Sequence, residues 1–264
     1  MSQQTVNGIS MNYEIYGEEQ PSCWPILLLH GLGSSLRDWE YQIEKFSSDF
    51  QVIALDIRGH GLSEKSTDEY SIALFADDVA AFLKKINIKK VNVVGLSMGG
   101  MIAFQLSLSH SDLIHSLVIV NSGPDFRLKN FSAKFKVRLR LFMLKYFSMK
   151  RVGRLVAKGL FPEKNQKALR QLFVGRFIEN ERQAYIKALK AILNWSVESQ
   201  IAEITQPVLI VAADKDYTPV AHKKNYASKI PRAIINVISD SHHAVPVEKP
   251  EVFNRLVLDF LKTV

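Results

Sequence analysis

A serine between two glycines is the first candidate for chemistry in this chain. The run Gly95-Leu96-Ser97-Met98-Gly99 follows a short apolar stretch at 91–94 and precedes residues with helical periodicity. A serine on a sharp strand-to-helix turn takes strained backbone angles, and glycines on either side avoid collisions there. The start of the following helix offers free N–H groups and a positive dipole end to a developing oxyanion. The pattern therefore predicts that Ser97 is a nucleophile.

A serine hydroxyl is a weak nucleophile, so the chain must also supply a base and a group that orients this base. A histidine beside a carboxylate serves this purpose, because the carboxylate fixes the tautomer and stabilises the imidazolium. Polar residues collect directly after the short apolar runs of the chain: His30, Asp56, Ser97, Asn121, Asp216 and His243.

The short apolar runs indicate strands. They lie at 26–29, 50–55, 91–94, 117–120, 207–212 and 233–238, and an Asn7-Gly8 turn signal predicts a hairpin near the start. Helical periodicity occupies 71–86, 98–108 and 252–261. Buried strands that alternate with helices favour an α/β fold with a mostly parallel sheet and helices on both faces. Ligands bind beyond the carboxyl ends of such strands, where the polar candidates collect.

Composition excludes several classes of protein. The chain has 264 residues, of which 47% are hydrophobic and 23% charged, so it is neither collagen-like nor a coiled coil nor wholly disordered. The single cysteine, Cys23, excludes a disulfide framework and a cysteine-rich zinc site. The N-terminus lacks the basic and apolar regions of a signal peptide, and no apolar run approaches the ~20 residues of a membrane span. We therefore expect a cytoplasmic protein.

One segment breaks the alternation of strands and helices. Residues 124–200 contain few strand-like runs, and one helical face carries five apolar residues: Phe131, Phe135, Leu139, Phe142 and Tyr146. We therefore predict a core domain of residues 1–123 and 201–264, interrupted by a helical insertion at 124–200. Residues 127–190 hold 18 Lys and Arg against 3 acidic residues, whereas the rest of the chain holds 16 against 23. Residues 127–190 thus carry a charge of +15 and the rest of the chain −7, which together give the net charge of +8.

Four motifs together resemble those of the α/β-hydrolase fold family. His30-Gly31-Leu32-Gly33 resembles the oxyanion loop of that family, and the run from Asp56 to Ser63 resembles its D-x-R-G-x-G-x-S turn. Residues 95–100 resemble the nucleophile elbow, and 241–250 resemble the catalytic-histidine loop, H-x-x-x-x-E-x-P. The chain looks most like the serine esterases, lipases and enol-lactonases of this family that carry a helical cap.

The resemblance implies a catalytic triad in the order nucleophile, acid and histidine, which here corresponds to Ser97, Asp216 and His243. His243 has the family's spacing to Glu248, but His242 stands where relatives often have glycine and stays an alternative. Asp216 has the expected offset after the strand at 207–212, although its spacing to a following proline is one residue short. Asp214 therefore stays the alternative acid.

The resemblance also implies an oxyanion hole formed by the backbone N–H groups of Leu32 and Met98. We expect His30, Asp56 and Arg58 to hold turns near the site rather than to react. The chemistry that these residues support is acyl transfer through an acyl-enzyme, with no cofactor and no metal.

The predicted function is that of a serine hydrolase for carboxylic esters, with an acyl ester or lipid-like small molecule as substrate. Lactone hydrolysis and cleavage of a carbon–carbon bond next to a ketone are alternatives within the same fold. An alternative of another class is a ligand-binding protein that keeps the pocket without multiple turnover.

In relatives that carry one, an insertion at this place forms a cap over the active site, which implies that 124–200 sets specificity here. Its apolar residues are then expected to line the site or to form the buried face of the cap helices. Residues 131–160, here called the basic segment, contain nine basic residues and no acidic one: Lys134, Lys136, Arg138, Arg140, Lys145, Lys150, Arg151, Arg154 and Lys158. Peripheral contact with an anionic membrane is one hypothesis for them. Steering of anionic substrates and a solvated basic face are the others, and no nucleic-acid partner is expected.

Overall fold

A single eight-stranded sheet organises the chain. A computed structural model describes residues 2–127, 131–193 and 195–264. The strands are β1 (Ser2–Val6), β2 (Ile9–Tyr16), β3 (Ile26–Leu29), β4 (Val52–Leu55), β5 (Val91–Leu96), β6 (Ile114–Val120), β7 (Val208–Ala213) and β8 (Ala233–Ile238). The helices are α1 (Glu40–Phe46), α2 (Ile72–Lys85), α3 (Met98–Ser109), α4 (Phe131–Tyr146), α5 (Met149–Leu160), α6 (Lys167–Phe177), α7 (Arg182–Leu193), α8 (Val220–Ala227), α9 (Val245–Glu248) and α10 (Pro250–Leu261).

The sheet is mostly parallel, as the alternation of strands and helices predicts. Its strand order is β1-β2-β4-β3-β5-β6-β7-β8. Strand β2 runs opposite to the other strands and pairs antiparallel with both β1 and β4. Strands β1 and β2 form the hairpin predicted from Asn7 and Gly8, whose φ angles are 44° and 75°. All strand pairs from β4 to β8 are parallel, so the carboxyl ends of β3 to β8 open on one edge of the sheet.

Apolar side chains cover both faces of this sheet. One buried cluster includes residues of α2 and α3, such as Phe75 and Ile102. The other includes residues of α1 and α10, such as Phe46 and Phe253. Strands β3, β4 and β7 are buried along their whole length, which explains why they are continuous apolar runs rather than alternating ones.

Helices α4 to α7 lie between β6 and β7 and have a small apolar cluster of their own, which includes Leu144, Val152, Phe177, Tyr185 and Leu189. Polar contacts attach them to the sheet-bearing part of the chain. The Arg176 guanidinium lies 2.9 Å from Asp38, and the Asn180 amide donates to the Gly33 carbonyl over 2.9 Å. The predicted insertion, 124–200, includes 128–130 and 194, which lie outside the described residues.

The apolar face of α4 differs from the expectation. Phe131, Phe135, Leu139, Phe142 and Tyr146 are exposed, with Phe131 at 79%. The helix instead packs through another face, on which Leu144 is fully buried and Leu141 is partly buried. The interpretation of these five residues as the buried face of the helix was therefore wrong, because the residues that contact α7 lie on the opposite side.

Among the described residues, no helix combines the length and the apolar character that crossing a bilayer would require.

Close packing between α3 and β3 makes Gly99 a sensitive position. A Cβ atom built there would lie 2.0 Å from the Leu29 carbonyl oxygen. We expect Gly99→Ala to lower the free energy of unfolding by at least about 2 kcal/mol, because backbone atoms cannot move aside as a flexible side chain can. Urea denaturation measures this change.

Gly159 in α5 is the matched control, because a Cβ atom there would meet nothing within 4 Å. Gly159→Ala should stabilise the protein by roughly 0.5–1 kcal/mol through helix propensity. Equal unfolding free energies for Gly99→Ala and the wild type would contradict this account of the packing between α3 and β3.

Candidate active site

Ser97 occupies a strained turn between β5 and α3. Its φ and ψ are 83° and −102°, a region that side-chain-bearing residues rarely adopt. The Ser97 N–H donates to the Val120 carbonyl over 3.1 Å, which anchors the turn to β6. At Gly95 a Cβ atom would lie 2.4 Å from the Gly99 carbonyl oxygen. The glycines of the motif are therefore required because the first turn of α3 folds back against the end of β5.

Ser97, His243 and Asp216 form a hydrogen-bonded line at the carboxyl edge of the sheet. The Ser97 Oγ lies 3.0 Å from His243 Nε2, and His243 Nδ1 lies 2.8 Å from Asp216 Oδ1. Because the ionised carboxylate can only accept, Nδ1 carries the proton and Nε2 is left to accept the hydroxyl proton of Ser97. The arrangement can therefore deprotonate Ser97 during attack on a carbonyl.

The two alternatives from the sequence have other partners. Asp214 accepts hydrogen bonds from the backbone N–H groups of Asp240 and Ser241, each over 3.0 Å, and so fastens the loop that leads to His243. The His242 Nδ1 lies 2.8 Å from Glu248 Oε1. Neither alternative residue has a hydrogen bond to Ser97 or His243 within the described part of the chain.

The second carboxylate oxygen of Asp216 binds a buried lysine. Lys223 has no exposed surface, and its Nζ lies 2.6 Å from Asp216 Oδ2 and 2.7 Å from the Thr218 carbonyl oxygen. Burial by itself raises the pKa of Asp216, but the hydrogen bond and charge of His243, followed by those of Lys223, lower the pKa to about 2. Asp216 therefore stays ionised beside His243.

Lys223 was not identified from the sequence. It lies in the first turn of α8, immediately before Lys224, and the two lysines look alike in the sequence. They differ in the face of α8 on which they lie, since Lys223 is buried and Lys224 is exposed.

Asn121 connects the two loops that carry the acid and the histidine. Its side-chain amide donates to the His243 carbonyl over 2.9 Å, and its side-chain oxygen accepts from the Ala213 N–H over 2.9 Å. Asn121 is fully buried and has a φ of 42° at the end of β6. The sequence marked it as a polar residue after an apolar run, and its contacts make it a positioning residue.

The predicted oxyanion groups lie close to the elbow. Within the described part of the chain, the N–H groups of Leu32 and Met98 have no protein acceptor. A Cβ atom at Gly31 would lie 3.7 Å from the Ser97 Cβ, so the loop that contains Leu32 passes beside the serine. Two free donors near a nucleophile can hold an oxyanion.

His30 and Asp56 hold the loops around the N–H groups predicted to form the oxyanion hole. The His30 Nδ1 donates to the Gly31 carbonyl over 2.8 Å, and its Nε2 accepts from the Ile57 N–H over 3.1 Å. Burial lowers the pKa of His30, which agrees with a neutral ring. Asp56 accepts from the N–H groups of Leu36 and Leu62 over 2.8 and 2.9 Å.

Arg58 forms a buried ion pair with Asp78, at 2.6 Å. This pair joins the turn after β4 to α2, and among the described residues Arg58 has no hydrogen bond to Ser97, His243 or Asp216.

Ser97 and His243 open into a large, mostly apolar cavity of about 620 Å³. Its far walls come from α4, α5, α6 and α7 and include Val137, Met143, Val156, Phe173 and Leu189. The cavity can hold a molecule of drug or fatty-acyl size, with its reactive carbon beside Ser97.

Tyr217 is a further residue that the sequence did not single out. Its hydroxyl lies 2.7 Å from His243 Nε2, and its ring lies over the imidazole with centroids 4.2 Å apart. The tyrosine also lines the cavity, so it faces whatever occupies the space above Ser97.

The described residues contain no group of three or more His, Cys, Asp and Glu side chains that could hold a metal ion.

The Asp216–Lys223 contact should have a measurable effect on stability. Lys223→Met leaves a buried carboxylate without its nearest cation, so we expect the free energy of unfolding to fall by about 3 kcal/mol. The neighbouring exposed lysine supplies the control, since Lys224→Met should change it by less than about 0.5 kcal/mol. Urea denaturation near pH 7 compares both variants with the wild type, and similar losses for the two would contradict the assignment.

This contribution should also depend on pH in a defined direction. The pKa of Asp216 is lowered in the folded protein, so its stabilisation is present above the ordinary value of 3.8 and is lost as the pH falls through about 2. The difference between wild type and Lys223→Met should therefore shrink over this range.

Comparisons with known proteins identify the family of the chain. The family model described as "alpha/beta hydrolase fold" matches residues 25–250. Among curated proteins, "Putative carbamate hydrolase RutD" of Serratia proteamaculans is 29% identical over 259 residues, covering 95% of this chain and 96% of that protein. The protein of the same name from Caulobacter sp. is 27% identical and covers 99% of this chain and 98% of its own length.

Solved structures show the same fold. The enol-lactonase from Burkholderia xenovorans superposes with a TM-score of 0.90 at 25% identity, covering 99% of this chain and all of that one. Est816, described as an N-acyl homoserine lactone degrading enzyme, gives a TM-score of 0.83 at 28% identity, covering 98% and 100%.

The family match spans most of the chain, and strands β3 to β8, the strained serine turn and the histidine loop lie within it. The protein is therefore a hydrolase of the α/β-hydrolase fold family.

Proposed function

We propose that this hydrolase cleaves carboxylic esters of medium or long acyl chains through a serine triad and an acyl-enzyme. The observation that carries the proposal is the line from Ser97 Oγ through His243 to Asp216, which faces an apolar cavity of about 620 Å³. A nucleophile with its base at the wall of such a cavity suits a substrate with a polar carbonyl and an apolar chain.

In the proposed reaction, Ser97 Oγ attacks the ester carbonyl while His243 Nε2 takes the hydroxyl proton. The Leu32 and Met98 N–H groups hold the oxyanion, and the imidazolium, stabilised by Asp216, returns the proton to the leaving alcohol. A water molecule activated by His243 then attacks the acyl-enzyme, which releases the carboxylic acid and restores Ser97.

We also propose that the insertion, residues 124–200, acts as a cap that selects the acyl chain. Helices α4 to α7 supply most of the apolar wall that faces Ser97, whereas the core supplies the reactive groups. A small polar carbamate would leave most of this cavity unfilled. A carbamate without an apolar chain is therefore a poorer match to the cavity than an acyl ester.

Ser97→Ala should abolish hydrolysis of p-nitrophenyl butyrate, with kcat reduced at least about 10³-fold, because no other group can form the acyl-enzyme. Ser109→Ala, at the exposed end of the same helix, is the control and should keep wild-type activity. Retention of more than a few per cent of the rate by Ser97→Ala would refute the serine mechanism. Binding of an acyl ligand without multiple turnover of any ester would favour the non-catalytic binding protein.

Acyl-chain preference tests the cavity. Each buried methylene contributes about 0.8 kcal/mol, so kcat/KM for p-nitrophenyl esters should rise roughly fourfold per methylene from acetate until the cavity is filled. Gly159 lines the cavity and has open space beside it, so Gly159→Phe should lower kcat/KM for dodecanoate while sparing acetate. A flat chain-length profile in the wild type would contradict an acyl-binding role.

Lactones are the second candidate substrates. The structural likeness to an enol-lactonase and to an N-acyl homoserine lactone degrading enzyme, each at 25% identity or more, favours them. A lactone presents the same ester carbonyl to Ser97, and an N-acyl lactone would place its chain in the same cavity. Comparing kcat/KM for an N-octanoyl lactone and for p-nitrophenyl octanoate, in wild type and Ser97→Ala, ranks the two classes.

A further inference from the structure

The outer face of α4 carries an apolar stripe that nothing in the described part of the chain covers. The stripe consists of Phe131, Phe135, Leu139, Phe142 and Tyr146, all of them exposed. At about 100° per residue, these five positions fall within an arc of roughly 80° on one side of the helix. Water-exposed aromatic side chains on a single helix face are typical of a surface that contacts another apolar phase.

Basic side chains border the stripe on both sides. Helical geometry places Lys134, Arg138 and Lys145 along one border and Lys136 along the other. All four are exposed, and none of them pairs with a carboxylate among the described residues. Helix α5 adds four more exposed cations of the basic segment, which has no acidic residue.

The stripe is continuous with the cavity above Ser97. Leu139 belongs to the stripe and also lines the cavity, as do the neighbouring residues Lys136 and Met143. Leu139 therefore connects the outside of α4 with the cavity wall, where Lys136 lies beside it.

The positive charge of this face favours an anionic partner. A second copy of the chain that docked through the same basic segment would bring nine basic residues against nine others, and the segment has no acidic residue to offset them. A surface with anionic headgroups above an apolar interior complements both features, because the cations meet the headgroups and the aromatic side chains enter the boundary below them.

We propose that the stripe and its basic borders dock on an anionic lipid bilayer, and that acyl substrates enter the cavity from the bilayer past Leu139. The proposed docking depends only on the exposed stripe and its basic borders, whereas the delivery of substrate rests on the proposed function. Each basic residue near an anionic surface raises affinity about fivefold at low salt, so several acting together suffice for reversible binding.

Flotation with lipid vesicles tests the docking. The wild type should float with vesicles of phosphatidylcholine containing about one quarter phosphatidylserine, but not with phosphatidylcholine alone, and added salt should weaken the binding. Ser97→Ala should float as well as the wild type, so failure of the proposed chemistry and failure of docking give different results.

Two sets of variants separate the aromatic and the basic contributions. Phe135→Ser combined with Phe142→Ser should reduce binding at least about tenfold while leaving hydrolysis of a short soluble ester unchanged, since neither residue lines the cavity. Lys134→Gln with Arg138→Gln should reduce it by a similar factor. Matched controls are Ile234→Ser on the exposed edge of β8, and Lys84→Gln with Lys89→Gln, which should bind like the wild type.

Several results would overturn the proposal. One is an absence of flotation with anionic vesicles, and another is binding that the phenylalanine substitutions leave unchanged, which would reduce the contact to charge alone. A stable dimer that the same substitutions dissociate, without vesicle binding, would assign the stripe to a second copy. Retention on single-stranded nucleic acid without vesicle binding would assign the basic segment to another partner.

Discussion

The arrangement of the site depends on keeping one buried carboxylate ionised. Asp216 is enclosed at the end of β7, where burial alone would favour its neutral form. Lys223 and Thr218 bind one of its oxygens, and the other remains directed at His243. A lone buried ion pair is weak support for stability, but here it defines the rotamer of a carboxylate that must orient an imidazole. The same lysine thus serves stability and geometry together.

Hydrogen bonds join the loops around this carboxylate to one another and to the ends of β6 and β7. Asn121 joins the end of β6 to the His243 loop and to β7, and Asp214 joins β7 to the start of that loop. Glu248 holds the loop from its other end through His242. Apart from the exposed bond between Asp240 and Asp214, these contacts are buried or partly buried, so their polar groups have partners where water has little access. The precision of the Ser97–His243 contact follows from this network.

The helices above the sheet meet conflicting requirements. Their inner faces close a cavity over Ser97 and attach to the core through Arg176 and Asn180. Their outer surface leaves aromatic side chains of α4 in water, which a soluble helix normally avoids. A cap that only covered a site would not need that exposure. The contrast between the two faces of α4 is the reason to consider entry of substrate from an apolar surface.

The amino-acid sequence was enough to predict the fold class, the mostly parallel sheet, the turn at Ser97 and the serine nucleophile, because apolar runs, helical periodicity and glycine spacing are local signals. It left His242 as an alternative to His243 for the base. It narrowed the acid to Asp216 or Asp214, which are only two residues apart in one loop. Tertiary structure alone separated these two, since only Asp216 faces His243 while Asp214 faces the backbone of another loop. Tertiary structure also decided the roles of Lys223, Asn121 and Tyr217 and the exposure of the α4 stripe, because burial depends on which neighbour packs against a helix face, and a single chain segment does not encode that neighbour.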